Sequence, residues 1–582
     1  MQNIKAPTKV AIIGAGVSGL SCAYFLFKQA EKLNRPMQID IFERKHSYGG
    51  NADTVVVNLG QAIDATGHAQ PYHRWADLGV NDVNLATYDK LAEIMIDIGY
   101  LDKERMDMKH MRPLQDTTSY FNVSGSLAIA DDAEMRAGVS DPRFSLGNAD
   151  DKLLAPLVKV VHQSALDRLP FVTPSYTVAH FFKECIARPE AMLSAAIKSL
   201  GIKIDLHDKA LPKRLEKVRD EIYYPRIAAM YFTDDRGPGT MPLQSPFQYY
   251  QLQEGSKDKA IKPDRRYFAQ GAQKWLEELA GWLQQKSSDL VTINIYRNAD
   301  VRLHVTENQV TVKRPGVMNQ SYPLCVLANH ADDAKTMLTF AENMQAWHHQ
   351  ITDALARVRY THTYAVCHTD ARKLPQNTAI WRTYNVLQRS AGETSFPYRM
   401  TYVENLHQND AFNPDYAGRP GLPMFLTSMV KSLDEIPESA MLDRVSSAHG
   451  IAPEMFQALP KATQRHLQGE TMLGGYRSEQ AAIPPHLAGK ALTSFKHNVL
   501  DAHCIAAQEL ILKYNMQVAI TIGQKKQPPC ALLFGGGWTN GAGLQEQCII
   551  QSEAIAGWIL PGLRDTVSQE EAADPAACAT TA

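Results

Sequence analysis

The chain has 582 residues, 45% of them hydrophobic, and its 60 basic and 62 acidic side chains leave a formal net charge of −2. That length supports a large core and more than one domain, and the near-neutral balance gives no basis for nucleic-acid binding. Eight cysteines are scattered without a CxxC pair, which points away from a zinc site or a disulfide framework and towards reduced thiols in a cytoplasmic protein.

The first predicted element is an apolar strand over Val10–Ile13. It runs into Gly14-Ala15-Gly16-Val17-Ser18-Gly19, then a helical segment, then a second strand over Met37–Phe42 that ends in Glu43. This order is the dinucleotide-binding unit. Gly14 permits the tight turn, Gly16 lets a pyrophosphate approach the backbone, and Gly19 lets the helix pack close to the strand. The first helical turn offers free N–H groups and a positive dipole end to the diphosphate. Glu43 is placed to accept from a ribose hydroxyl, and its charge disfavours a cofactor with a 2′-phosphate. Glycines interrupt this apolar stretch and no cleavage signal follows, so it reads as neither signal peptide nor membrane span; no other run is long enough to cross a bilayer.

Further along, Arg44 and Lys45 lead to a glycine pair, Gly49-Gly50, and Asn51. The spacing of Leu85, Tyr88, Leu91, Ile94, Met95 and Ile98 predicts a helix over Val83–Tyr100. Residues 145–200 read as mainly helical, including Ala191–Leu200. The stretch Gly237–Pro246 is turn-rich and reads as a connector in preference to a loop over a substrate entrance. Trp275, Leu276, Leu279 and Leu283 mark an amphipathic helix. The alternation at Val301, Leu303 and Val305, then Val310 and Val312, marks a hairpin, and Cys325–Asn329 a short buried strand entering a helix. His368, Asp370 and Arg372 form a polar cluster that reads as structural or surface, and His348-His349 on an exposed helix gives no metal site. Near the C-terminus a strand from Cys530 ends in Gly535-Gly536-Gly537, and a helix begins near Leu544 after Gly543. The Ala-, Thr- and acid-rich end of the chain reads as disordered.

An acid, a short basic stretch and then a glycine pair resemble the FAD-dependent amine oxidase and phytoene desaturase superfamily. The stretches Leu327–Leu338, Tyr360–Pro375, Ala379–Asn385, Phe425–Met429 and Ser494–Asp501 are similar to a bacterial group of predicted NAD/FAD-binding, amine-oxidase-like proteins. Some relatives of that group are linked to enzymes that modify unsaturated fatty acyl chains. The resemblance implies an α/β fold: a Rossmann-like, GR2-type FAD-binding domain with an inserted α+β substrate domain. It divides the chain into FAD-binding pieces at 1–80, 265–345 and 500–565, substrate-domain pieces at 81–264 and 346–499, and a tail at 566–582. It also implies that the second glycine pair lies beside the diphosphate and flavin, that Val301 touches the adenine through its backbone, and that the helix after Gly543 aims its N-terminus at the flavin pyrimidine ring, where reduced flavin is negative.

The expected FAD contacts are therefore Gly14, Ala15, Gly16, Val17, Ser18, Gly19, Glu43, Arg44, Gly49, Gly50, Asn51, Val301, Gly536, Gly537, Gly543 and Leu544. The candidates for the chemistry are Trp538, Asn540, Gln545 and His497, with no metal. The function expected is an FAD-dependent oxidoreductase that removes hydride from an apolar small molecule, either an amine or an unsaturated acyl lipid. The competing readings are a redox-neutral flavin isomerase and a non-catalytic FAD-binding accessory protein. A second strand–GxGxxG–helix unit is lacking, so a resident NADPH site is not expected. A small-molecule or lipid partner is expected, with peripheral contact to a bilayer left open.

Overall fold

The computed structural model describes residues 7–63, 67–104, 109–115, 118–121, 127–130, 175–201, 203–233, 237–254, 263–376, 378–387, 399–410, 423–446, 483–487, 489–523 and 532–560. The expected tail at 566–582 and the N-terminal part of the expected helical stretch (145–174) lie outside them.

Strand β1 (Thr8–Ile13) leads through Gly14-Ala15-Gly16 into helix α1 (Val17–Lys32), and β2 (Met37–Phe42) follows. These strands sit in a five-stranded, all-parallel sheet in the order Val291–Tyr296, β2, β1, Leu324–Leu327, Leu532–Phe534. Val10–Ile13 and Ile39–Phe42 are buried throughout, as expected for strands covered on both faces. Every residue of α1 from Ser18 to Phe27 is buried, because the sheet, the helix Ala272–Lys286 and the helix Gln545–Ile559 all pack around it. Ser552 Oγ, on the last of these helices, donates to the Ser18 carbonyl at 2.8 Å, tying the two ends of the chain together.

A second sheet of seven strands runs Leu492–Asn498, Tyr360–His368, Leu426–Val430, Arg399–Val403, Tyr384–Leu387, Thr118–Phe121, Leu127–Ala130. It is antiparallel except where Tyr384–Leu387 pairs with Thr118–Phe121. The hairpin expected after Val301 forms at Arg302–Val305 and Val310–Arg314, and Cys325–Leu327 is a buried strand that enters the helix Ala331–Met337. Trp275, Leu276, Leu279 and Leu283 are buried on the helix Ala272–Lys286.

Two expectations are corrected. The helix expected over Val83–Tyr100 is only Asp89–Asp97, and Asp82–Asn84 is a strand paired with Arg265–Phe268. Asn84 makes the turn between them: its Oδ1 accepts from Ala86 N–H at 3.2 Å and from Asp264 N–H at 3.0 Å, the local competition with helix that asparagine is suited to. The helix that remains is capped from far away, since the Glu546 carboxylate accepts from the Lys90 and Leu91 N–H groups at 2.8 and 2.9 Å. The connector expected at Gly237–Pro246 is instead two short helices, Gly237–Thr240 and Gln244–Tyr249. Gly237, Pro238 and Gly239 are buried there, and Leu243 N–H donates to the Tyr176 carbonyl at 3.0 Å. Packing against neighbouring elements overrides the turn composition.

His368 sits fully buried in the seven-stranded sheet. Its Nδ1 accepts from Asp370 N–H at 3.0 Å and its Nε2 faces Ser428 Oγ at 2.7 Å. The network therefore assigns the proton to Nε2. Burial lowers its pKa from 6.5 to about 4, with Asp370 partly opposing. Between those values the unfolded chain holds a proton that the folded chain refuses, so this histidine's contribution to stability is full above about 6.5 and is lost as pH falls to about 4. We expect His368→Gln to flatten the stability–pH curve in that window by up to about 1.4 kcal/mol per pH unit, one proton's worth. Urea unfolding of both proteins at pH 4.5, 5.5 and 7 checks this; parallel curves would refute it.

Candidate functional site

The glycine turn after β1 is held by the carboxylate that ends β2. Glu43 Oε2 accepts from Ala15 N–H at 2.7 Å and its Oε1 from Lys45 N–H at 2.8 Å. Gly49 N–H then donates to the Ala15 carbonyl at 3.0 Å, and Lys45 Nζ to the Gly50 carbonyl at 2.7 Å. Glu43 thus locks the two glycine turns together, a task the sequence does not reveal. Each carboxylate oxygen keeps a lone pair for a further donor.

These turns open onto a cavity of ≈ 510 Å³. Among the expected contacts, Gly14, Gly16, Val17, Ser18, Glu43, Arg44, Gly49, Gly50, Asn51, Val301, Gly537, Gly543 and Leu544 line it, together with Trp538, Gln545 and His497. Ala15, Gly19, Gly536 and Asn540 are not among its lining residues. Ala15 is buried beneath the turn, and its N–H is the one that Glu43 holds. A Cβ on Gly19 would stand 1.9 Å from the Gly14 carbonyl oxygen, and one on Gly536 would stand 2.1 Å from that of Asn329, so both glycines serve backbone packing. Asn540 Nδ2 donates to the Gln547 carbonyl at 3.0 Å, which ties this side chain to the first turn of the helix Gln545–Ile559. Gly16 differs: a Cβ there would make only ordinary contact, nearest to Gly50 Cα at 3.5 Å, and the residue lines the cavity.

The middle of the cavity carries charge. His330 follows the strand Leu324–Leu327, and Lys496 and His497 come from Leu492–Asn498. The Lys496 ammonium is fully buried. It pairs with Asp332, lies 3.5 Å from Asp333 Oδ1, and stands 5.4 Å above the Tyr360 ring. Arg44 reaches the same Asp333 oxygen at 3.6 Å. His330, Asp332 and Asp333 stand close enough together to hold a metal, but Lys496 and Arg44 already balance those two carboxylates. Burial lowers both His330 and His497 to about 4, with Asp333 opposing the shift at His330; both rings are neutral at pH 7. Sequence reasoning missed Lys496 and His330. The signal was there for the first: a lysine in the middle of an otherwise uncharged strand segment needs a buried partner.

Beyond this lies a chamber walled by Tyr88, Tyr249, Phe232, Tyr384, Val386, Met400, Tyr402, Phe495 and Trp538. Trp538 is 2% exposed and meets Phe534 edge-on at 6.5 Å. Phe232 holds a left-handed backbone (φ 50°), rare for a bulky residue. Its carbonyl accepts from Thr361 Oγ1 at 3.1 Å, and its ring packs on Phe495 and His497 at 5.4 and 5.3 Å. One wall carries a buried ion pair. Arg265 Nη2 lies 2.7 Å from Asp82 Oδ1, Gln253 Nε2 donates to the same oxygen at 2.5 Å, and Tyr384 OH donates to Oδ2 at 2.6 Å. Tyr88 OH donates to Gln253 Oε1 at 2.5 Å. Three side chains thus donate to this carboxylate.

The residues present fit a dinucleotide: a glycine turn open at Gly16, an acid at the end of β2, and one cavity leading from there into a mostly apolar chamber. Residues 12–81 match the family model for an NAD(P)-binding Rossmann-like domain, and the N-terminal unit is accordingly a Rossmann-type dinucleotide-binding fold. An 82-residue segment is 39% identical to prenylcysteine oxidase 1 of Pongo abelii, covering 14% of this chain and 15% of that protein. A 61-residue segment is 44% identical to prenylcysteine oxidase 1 of Homo sapiens, covering 10% and 11%. The aligned segments thus span about a seventh or less of the relatives' length. Similar solved structures include cyclohexylamine oxidase from Brevibacterium oxydans IH-35A, at 13% identity and a TM-score of 0.48 over 95% of this chain and 99% of the other. Putrescine oxidase bound to putrescine aligns at 13% and 0.46 over 96% and 100%. A CLA-producing fatty acid isomerase from P. acnes aligns at 13% and 0.47 over 94% and 98%. No helix among the described residues is long and apolar enough to cross a membrane.

Proposed function

We propose that this protein binds FAD and acts as an amine-oxidase-like oxidoreductase, removing hydride from an uncharged, largely apolar small molecule held in the aromatic chamber. The observation that carries this reading is the single cavity that joins the glycine turns and Glu43 to the chamber walled by Tyr384, Met400, Tyr402 and Phe495. Two substrate classes fit that lining, a neutral amine and an acyl chain. The similarity of short segments to prenylcysteine oxidase 1 supports an oxidase reading without choosing between them. In this reading segments 1–80, 265–345 and 500–565 build the cofactor domain, and the seven-stranded sheet belongs to the substrate domain inserted into it.

Bound FAD would supply hydride acceptance, the step protein side chains do not perform. The chain's own residues bind, orient and shield. The first turn of α1 and Gly16 receive the diphosphate, and Glu43 receives the ribose. Trp538, Phe495 and the tyrosines keep water from the reacting carbon. His497 and His330 line the cavity as neutral rings at pH 7, because burial disfavours their protonated forms. The Asp82–Arg265 pair presents no unbalanced charge to the chamber.

The test is the visible spectrum of the purified or FAD-reconstituted protein, followed without oxygen while neutral-chain amines and unsaturated acyl lipids are added in turn. We expect a flavin band that one class bleaches. A retained flavin that no member of either class reduces, with product formed and no acceptor consumed, would replace oxidation by redox-neutral isomerisation. Failure to take up FAD would overturn the reading.

A further inference from the structure

The helix Gln545–Ile559 opens with three consecutive long polar side chains, and the fold uses two of them. Glu546 turns away to cap the helix Asp89–Asp97. Gln547 turns back, its Oε1 accepting from Ala542 and Leu544 N–H at 3.1 and 3.2 Å. Gln545 does neither. It is 6% exposed and lines the cavity, and both its Oε1 and its Nε2 are buried without a hydrogen-bond partner. A buried carboxamide with both ends unmatched is uncommon in native proteins and marks the place of a missing partner.

The sheet order says which part of a dinucleotide that partner is. Glu43, the ribose acceptor, ends β2, on one side of β1. Gln545 follows the strand Leu532–Phe534, which lies two strands to the other side. With the diphosphate over the turn between them, the adenosine half extends over β2 and the redox half over the strand Leu532–Phe534. A carboxamide offers one acceptor beside N–H donors. The complementary edge carries an N–H beside a carbonyl, as the imide of the isoalloxazine pyrimidine does.

We infer that Gln545 recognises the flavin's imide edge, its Oε1 accepting from N3–H and its Nε2 donating to an adjacent ring carbonyl. This assignment rests on the FAD reading above and names a positioning residue for the redox ring. The positive end of the 15-residue helix that Gln545 begins adds to the preference for electron density at that edge.

The test compares FAD with FAD methylated at N3, in the wild type and in Gln545→Leu, by fluorescence titration of the cofactor-free proteins. We expect the wild type to prefer FAD by about tenfold, and Gln545→Leu to bind FAD about tenfold more weakly and to treat the two flavins alike. Thermal unfolding without cofactor is the second readout: Gln545→Leu is expected to melt no lower than the wild type, because it buries no unmatched polar atoms. Equal discrimination in both proteins, or a cofactor-free variant that melts well below the wild type, would overturn the assignment while leaving FAD binding intact. Binding of neither flavin by the wild type would remove the FAD reading itself.

Discussion

Gly19→Ala is expected to leave little folded protein, whereas Gly16→Val, a larger side chain only three residues away, is expected to fold and to lose FAD. The contrast follows from what each glycine faces. At position 19 a Cβ would stand 1.9 Å from the Gly14 carbonyl oxygen. Neither partner can retreat, because Gly14 is itself pinned: its N–H donates to the Phe42 carbonyl at 2.8 Å, and a Cβ on it would reach the Ala328 carbonyl at 2.9 Å. Helix α1 must therefore lift off β1, costing about 3 kcal/mol or more, the upper range of core overpacking. At position 16 a Cβ makes ordinary contact with Gly50 Cα at 3.5 Å and the backbone is not left-handed, so the cofactor-free fold tolerates it. The branched methyls of valine then occupy the space a pyrophosphate needs, and a loss on the order of 100-fold in FAD affinity corresponds to about 3 kcal/mol. Circular dichroism and urea unfolding of the cofactor-free variants, followed by FAD titration of those that fold, separate the two. Normal flavin binding by Gly16→Val would show that the diphosphate lies elsewhere.

The second large effect belongs to the chamber wall. Arg265→Met removes the cation that faces Asp82, where both side chains are nearly buried (10% and 5% exposed). Gln253 and Tyr384 still donate to the carboxylate, but its charge is left uncompensated in a place water hardly reaches. Breaking such a pair costs about 3–5 kcal/mol, whereas removing both charges together costs far less. We therefore expect Arg265→Met to lower the unfolding free energy by that amount, and Asp82→Asn with Arg265→Met to recover most of it. Denaturant unfolding of the two singles and the double forms the cycle. A double variant as unstable as Arg265→Met would mean that the arginine acts through its packing rather than its charge.

How far the site was legible beforehand differs along the chain. Trp538 was read from its place after the C-terminal glycines and His497 from its place ahead of the C-terminal cofactor segment, and both line the cavity. Asn540 was singled out in the same C-terminal segment, yet its amide donates to a carbonyl in the first turn of a helix; sequence proximity to a loop does not tell which side chain turns inward. The helix expected from Val83 failed because Asn84 and the strand Arg265–Phe268, far apart in sequence, compete for the same backbone. Lys496 was passed over although an internal lysine in a buried strand calls for a partner, and Phe232 carries no sequence mark of its left-handed backbone.

The sequence by itself determined the dinucleotide-binding unit: strand, glycine turn, helix, second strand and closing acid. Those are local matters. A Cβ at Gly19 meets a carbonyl only five residues back, and the apolar runs of β1 and β2 are each read within six residues. Only the tertiary structure decided the chamber. Arg265 lies 183 residues from Asp82, and Tyr384 lies 302 residues from it. Loop closure brings such groups together through the packing of whole sheets, and no periodicity in the chain records which charges and rings will meet across the space between them.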